Sequence, residues 1–142
     1  MGWISKLVHK DTDLICTLKE LQPSISAHGF HVERAEDAFL EGKRVQRLRV
    51  QRGGLKLMML WDGAILTILQ KFDLKEDPDI REMQNFHLRN NYFALAYGLP
   101  GRTLIVRHTI HMSDDMPIIA GSVRRILTAW EKHLDLTAIV KH

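Results

Sequence analysis

The stretch that decides the fold lies in the middle of the chain, where residues 43–73 read KRVQRLRVQRGGLKLMMLWDGAILTILQKFD. Polar and apolar residues alternate over Arg44–Arg52, and two largely apolar runs follow, Leu55–Trp61 and Ala64–Phe72. The pairs GG and DG separate these three runs, and such pairs favour two-residue hairpin turns because both turn residues need a positive φ. The sequence therefore predicts a three-stranded antiparallel meander.

Three helices are expected around the meander. The first runs from about Asp11 to Ala27 and is stopped by Gly29; its apolar face consists of Leu14, Ile15, Leu18, Leu21 and Ile25. Because a proline inside a helix removes a hydrogen bond and clashes with the preceding turn, the helix either kinks at Pro23 or ends near Leu21.

The second helix is expected from Asp77-Pro78, an N-cap followed by a first-turn proline, to about Asn90, with Ile80, Met83 and Phe86 facing inward. The third is expected to begin around Pro117. Its apolar stripe consists of Ile119, Val123, Ile126, Leu127, Trp130 and Leu134.

Two further strands, Tyr92–Tyr97 and Thr103–Ile110, read as a hairpin, and a short strand near Phe30–Ala35 is a weaker expectation. The predicted fold is a single α+β domain over residues 1–142, preceded by an N-terminal segment of residues 1–10. It has an antiparallel sheet of five to six strands and three helices in the order α-β-β-β-α-β-β-α. The N-terminal segment carries the apolar residues Trp3, Ile4, Leu7 and Val8, which could dock on the body, swap into a partner subunit or touch a membrane.

The strand Leu55–Trp61 is apolar at nearly every position, which is typical of a strand that is covered on both faces. One layer of three helices covers only one face of a sheet. A second subunit is the simplest cover for the other face, so we expect a homodimer.

Composition indicates an ordinary globular protein, since 45% of the 142 residues are hydrophobic and 26% are charged. The single cysteine, Cys16, cannot form an intramolecular disulfide, and this favours a reducing, cytoplasmic compartment. No apolar run approaches the ~18–20 residues that cross a bilayer. Membrane proteins and disulfide-stapled scaffolds are therefore not expected.

No catalytic or metal-binding motif stands out, and neither an enzymatic activity nor a cofactor is expected. The pairs His28/His31 and His108/His111 have a helical spacing, but the second pair falls in a predicted strand, where residues three apart point to opposite faces. Cys16 reads as a small buried apolar residue. The acids around Asp77 read as helix-capping residues rather than as an acid/base pair.

The strongest charge feature is the window Lys43–Lys56, which holds six cations and no acid within a chain of net charge +3. Its candidate partner-binding residues are Arg44, Arg47, Arg49 and Arg52. Arg47 and Arg49 project from one face of the strand, whereas Arg44 and Arg52 lie in the opposite register. A row of arginines could contact phosphates of a nucleic acid. It could also protect an edge strand from aggregation or contact an acidic protein.

The C-terminal half resembles the YbjN family, which shares the type III secretion chaperone-like fold. The resemblance rests on Asn90-Asn91 before a strand, a tight turn, the apolar strand Thr103–Ile110 and a closing helix that carries Trp130. It covers roughly Asp77 to Leu136. The resemblance implies a bacterial, non-enzymatic, dimeric α/β protein, in which Asn90, Asn91 and Trp130 have structural roles. The basic pI of 9.2 departs from the typically acidic secretion chaperones.

Three functional hypotheses follow from these observations. The leading hypothesis is a chaperone-like or regulatory module that binds a protein partner, such as an extended segment, through a strand edge and the apolar side chains beside it. The alternative is nucleic-acid binding through the basic strand Lys43–Lys56. The third is an enzyme whose site assembles across a dimer.

Overall fold

The computed structural model describes residues 11–90, 92–98 and 101–140, and the N-terminal segment of residues 1–10 lies outside these ranges. Within them the chain forms three helices: α1 (Leu18–Ala27), α2 (Ile80–Arg89) and α3 (Ala120–His133). The strands are β1 (Leu14–Ile15), β2 (His31–Val32), β3 (Glu36–Leu40), β4 (Lys43–Arg52), β5 (Leu55–Trp61), β6 (Ile65–Asp73), β7 (Ala94–Gly98), β8 (Thr103–His111) and β9 (Ile118–Ile119). The α+β class is confirmed.

The meander is confirmed, because β4, β5 and β6 pair in sequence as antiparallel neighbours. The main sheet continues from β6 to β8 and then to β7, so the hairpin of the last two long strands is also confirmed. Together with β2 and β3 it has seven strands, and β1 and β9 form a separate two-stranded sheet. The expectation of five to six strands was therefore too low, because β3 and the two-residue strands carry weak sequence signals.

Both β2 and β3 pair with the same side of β4, so β4 is an interior strand. The interpretation of the basic strand as a protected edge was wrong. Between the two short strands, residues 33–35 lie opposite only residues 48–49 of β4, which is a β-bulge. The sheet edges in the described chain are the β2–β3 side and β7.

Helix α1 begins later than expected, after the N-cap Thr17, whose hydroxyl accepts a hydrogen bond from the Glu20 amide. The preceding residues cross the start of α3 instead: the backbone carbonyls of Asp13 and Asp11 accept from the amides of Ala120 and Gly121. This crossing is so close that a Cβ at Gly121 would lie 2.9 Å from the Asp11 Cβ.

Helix α1 continues through Pro23 to Ala27, so the prediction that it could end near Leu21 was wrong. Its C-terminal boundary agrees with the prediction. Gly29 follows with a φ of +87°, a left-handed conformation that favours glycine.

The other two helices also begin later than predicted. Asp79, not Asp77, caps α2 by accepting a hydrogen bond from the Glu82 amide, and Ile80 is 56% exposed rather than buried. Helix α3 begins at Ala120, because Ile118–Ile119 pairs with Leu14–Ile15 as β9. Ile119 is therefore an exposed strand residue and Leu134 is the C-cap, whereas the rest of the predicted stripe in α3 is buried.

All three helices pack against one face of the main sheet, which we call the helix face. Its core contains Leu48 and Val50 of β4, Met59 of β5, and Leu66 and Ile68 of β6, together with the buried side chains of the helices. Cross-strand partners such as Leu48, Met59 and Ile68 share this face. None of the described helices is long and apolar enough to cross a membrane.

Met58 and Met59 test this one-sided packing, because adjacent strand residues point to opposite faces. Met59 is completely buried on the helix face, whereas Met58 is only half-buried on the other face. We expect Met59→Ala to lower the free energy of unfolding by about 2–5 kcal/mol, since it leaves a cavity in the core. Met58→Ala should cost less than about 1 kcal/mol. Urea unfolding measures both, and equal losses would contradict the assignment of the two faces.

The turn between β5 and β6 is closed by Asp62, whose carboxylate accepts hydrogen bonds from the amides of Ile65 (2.8 Å) and Ala64 (2.9 Å). These bonds, followed by Lys43 at 3.6 Å, lower the pKa of Asp62. The stabilisation from a lowered carboxylate pKa is complete above the unfolded pKa and is lost as the pH falls through the folded value.

Asp62→Ala should therefore lower the free energy of unfolding by about 1–2 kcal/mol at neutral pH. The difference between the variant and the parent should shrink as the pH falls below about 4. Urea unfolding at pH 7 and at pH 3 measures it, and a difference that persists unchanged in acid would contradict the role of the charged carboxylate.

Candidate binding surface on the open face of the sheet

The second face of the main sheet, which we call the open face, is not covered by any helix or strand of the described chain. Two cross-strand rows define it: Arg49, Met58, Leu69 and Arg107 form one, and Arg47, Leu60, Thr67 and Thr109 form the other. Ile105 pairs with Lys71 beside the first row. The centre of the open face is therefore apolar, and cations surround it.

Apolar side chains of the open face are partly or fully buried, and Val45 is an example. It is only 6% exposed, yet it does not belong to the hydrophobic core on the helix face. Met58, Leu60, Leu69 and Ile105 are half-buried. Contact with a partner would therefore remove further apolar surface from water.

The four candidate arginines do not act together. Arg44 and Arg47 form ion pairs with Asp37 (2.5 Å) and Glu36 (2.6 Å) of the neighbouring strand β3. The sequence prediction missed these pairs because it missed β3. The available signal was Glu36-Asp37, followed by a Glu41-Gly42 turn that places the two acids opposite the arginines.

Arg52 lies in the opposite register, as predicted, and ties three elements together on the helix side. Its guanidinium donates to the carbonyl oxygen of His28 (2.5 Å), pairs with Glu131 of α3 and lies 4.5 Å from the centre of the Phe30 ring. These contacts join β4 to the end of α1 and to α3. They are the contacts of a structural arginine rather than of a free binding residue.

Arg49 is the last of the four candidate arginines, and it lines a pocket together with three other basic side chains. A pocket of about 300 Å³ on the open face is lined by His31, Arg49, Lys56 and Lys71, with Met58 and Leu69 also among its lining residues. Within the described chain, no carboxylate forms an ion pair with Arg49, Lys56 or Lys71, and Glu33 is the one acid that lines the pocket. We call this site the basic pocket.

The residues that carry the family resemblance occupy structural positions. Asn90 ends α2, and its side-chain oxygen accepts hydrogen bonds from the amides of Tyr92 (2.7 Å) and Phe93 (3.1 Å). Trp130 is buried in α3 and donates to the Gln70 side-chain oxygen at 2.8 Å. Asn91 lies outside the described residues.

The other residues that were considered for metal binding or catalysis are the histidines, Cys16 and Asp77. Among the described residues, no group of three histidine, cysteine or acidic side chains is placed to hold a metal ion. His108 and His111 fall on opposite faces of β8, as the strand spacing predicted. Burial raises the pKa of the Cys16 thiol, which disfavours the reactive thiolate. Asp77 accepts a hydrogen bond from the Tyr97 hydroxyl (2.6 Å), and this contact lowers the pKa of Asp77.

Comparisons of the chain with protein-family models, with curated proteins and with solved structures found no match.

Arg49 and Arg52 differ in their structural roles, so their alanine variants should differ in the free energy of unfolding. Arg52→Ala should lower the free energy of unfolding by about 1–3 kcal/mol, because it removes the contacts with His28, Glu131 and Phe30. Arg49→Ala should change it by less than about 0.5 kcal/mol. Urea unfolding of the two variants measures the difference, and a loss at Arg49 equal to that at Arg52 would contradict the free state of Arg49.

Proposed function

We propose that the protein is a non-enzymatic protein-binding module whose open face binds an acidic, amphipathic segment of a partner. The observation that carries the proposal is the basic pocket beside the apolar centre of the open face. The family resemblance supports a chaperone-like or regulatory role for such a module. It also supports a binding surface, rather than a catalytic pocket, as the working part of the molecule.

The apolar centre supplies the nonspecific part of the binding energy. Burying apolar surface contributes about 25 cal/mol per Å² removed from water. Leu60, Met58, Leu69 and Ile105 lie on three adjacent strands, so one apolar stripe of a helix or strand can contact all of them. An exposed patch of this kind on a sheet face is typical of an interaction surface.

The cations supply specificity. Arg49, Lys56 and Lys71 have no carboxylate partner in the described chain, so their charges are available to carboxylates of a partner. Charge complementarity of this kind accelerates association and fixes the register of binding. A partner with acidic residues beside an apolar stripe matches both features at once.

The same charges weigh against a second copy as the occupant of the open face. Face-to-face association would bring the basic residues of two copies onto one interface, where like charges raise the free energy of association. The homodimer expected from the uncovered sheet face stays a prediction. It becomes one of the outcomes of the experiment below.

Nucleic acid is the alternative polyanion, and two observations favour the acidic protein over it. The aromatic side chains of the described strands, namely those of Phe39, Trp61, Phe72 and Tyr97, occupy the register of the helix face. Among the described strands, the only rings that the open face offers to a base are the imidazoles of His31 and His111, and no phenylalanine, tyrosine or tryptophan lies there. Its apolar centre also matches nothing on a phosphate backbone.

A peptide titration tests the proposal. The probe is a fluorescent, alanine-based peptide of about 15 residues with leucines at i, i+3, i+4 and i+7 and glutamates beside the leucine stripe. Fluorescence anisotropy should show binding, and the double variant Arg49→Glu/Lys71→Glu should weaken it about tenfold or more, since it replaces attraction with repulsion at the basic pocket. The matched control, Lys19→Glu/Arg81→Glu, changes the net charge equally at exposed helix positions and should leave binding within about twofold.

Three results would contradict the proposal. A peptide with lysines in place of the glutamates could bind equally well, which would remove the charge argument. A single-stranded RNA could bind in place of the acidic peptide and lose affinity in the Arg49→Glu/Lys71→Glu variant, which would favour nucleic-acid binding. Sedimentation could show a dimer that Leu60→Glu dissociates, which would assign the open face to a second copy.

A further inference from the structure

A larger cavity lies on the opposite side of the sheet, at the C-terminal end of α3. It has a volume of about 1120 Å³ and is bounded by the β4–β5 turn, the end of β6 and residues 134–140. We call it the α3 cavity. It shares no lining residue with the basic pocket and is independent of the proposed function.

The lining of the α3 cavity is largely apolar and comes from several elements: Leu55, Phe72, Leu74, Trp130, Leu134, Leu136 and Val140. Ligand pockets commonly measure about 300–1,000 Å³. The cavity is therefore large enough to hold a small organic molecule against an apolar wall.

The Gln70 amide also lines the α3 cavity, next to Trp130. The oxygen of the Gln70 amide accepts the hydrogen bond of the Trp130 indole N–H at 2.8 Å. This bond lies at the wall of the α3 cavity, because both residues line it. It also makes the Trp130 indole N–H a specific reporter of anything that enters.

The charges around the α3 cavity are predominantly negative. Arg52 is neutralised by its ion pair with Glu131. The charged lining residues that remain are Asp73, Glu76 and Asp135 against Lys75. Thr137 donates hydrogen bonds to Asp135 and lowers its pKa, so that carboxyl group stays ionised at neutral pH.

We propose that the α3 cavity binds a small apolar molecule that carries one positive charge, such as an arylalkylammonium. Its apolar body packs against Trp130, Leu134 and Phe72. Its ammonium group lies at the rim, where Glu76 and Asp135 supply carboxylates. A carboxylate of the same shape meets an excess of negative charge there and is excluded.

Two probes with the same apolar body test the charge requirement: 4-phenylbutylamine and 4-phenylbutanoate. Each is titrated into the protein while amide and indole signals are followed by NMR. The amine should shift the Trp130 indole signal and bind at least about tenfold more tightly than the carboxylate. The Trp61 indole, which donates to the Met112 carbonyl oxygen elsewhere, should not move and serves as an internal control.

Substitutions then test which carboxylates bind the ammonium group of the amine. Glu76→Gln/Asp135→Asn keeps the shapes of both side chains and should weaken amine binding about threefold to tenfold. Asp114→Asn/Asp115→Asn removes two exposed charges outside the α3 cavity and should leave amine binding unchanged. Leu134→Phe should weaken binding of the amine by filling the cavity, with thermal unfolding as the check that the variant is folded.

The proposal would be overturned if 4-phenylbutanoate bound as tightly as the amine. It would also be overturned if neither probe moved the Trp130 signal at millimolar concentration, or if both acid-to-amide variants weakened binding equally.

Discussion

The whole structure depends on the burial of one face of a single antiparallel sheet. Leu48, Met59 and Ile68 form a cross-strand row beneath the helices, and each of the three is fully buried. Because side chains alternate along a strand, every residue placed in this core sends its neighbours to the opposite face. The open face is thus a geometric consequence of the core, and its composition is free to serve binding.

The basic strand shows that ion pairs with neighbouring elements decide which of its charges are available for binding. Six cations within residues 43–56 look like one continuous basic element. Strand β3 neutralises Arg44 and Arg47, α3 neutralises Arg52, and Asp62 pairs with Lys43, so four of the six cations are paired. Beyond the bulge, Glu33 lies opposite Arg49 and its amide donates to the Arg49 carbonyl oxygen, but no ion pair joins these two side chains in the described chain.

Local sequence signals predicted those features of the fold that depend only on residues close together in the chain. The GG and DG pairs predicted where the two turns of the meander lie, and Gly53 and Gly63 supply a positive φ in each turn. The start of α1 was wrong because residues 11–15 have helical spacing, yet they contact the start of α3 more than a hundred residues away. No local pattern encodes that contact. The short strand β3 was missed because its residues are almost all exposed and lack alternation.

The same distinction explains how much of the candidate site could be predicted. Arg49 and Lys56 stand out in the sequence, whereas His31 and Lys71 join them only through the order and register of β2, β4, β5 and β6. The two sides of the sheet therefore differ in the sign of their charges, and the composition of the chain does not reveal this difference. Arg49, Lys56 and Lys71 line the basic pocket, whereas Asp73, Glu76 and Asp135 outnumber Lys75 at the α3 cavity, although the net charge of the chain is only +3. A modest net charge thus separates into two surfaces of opposite sign.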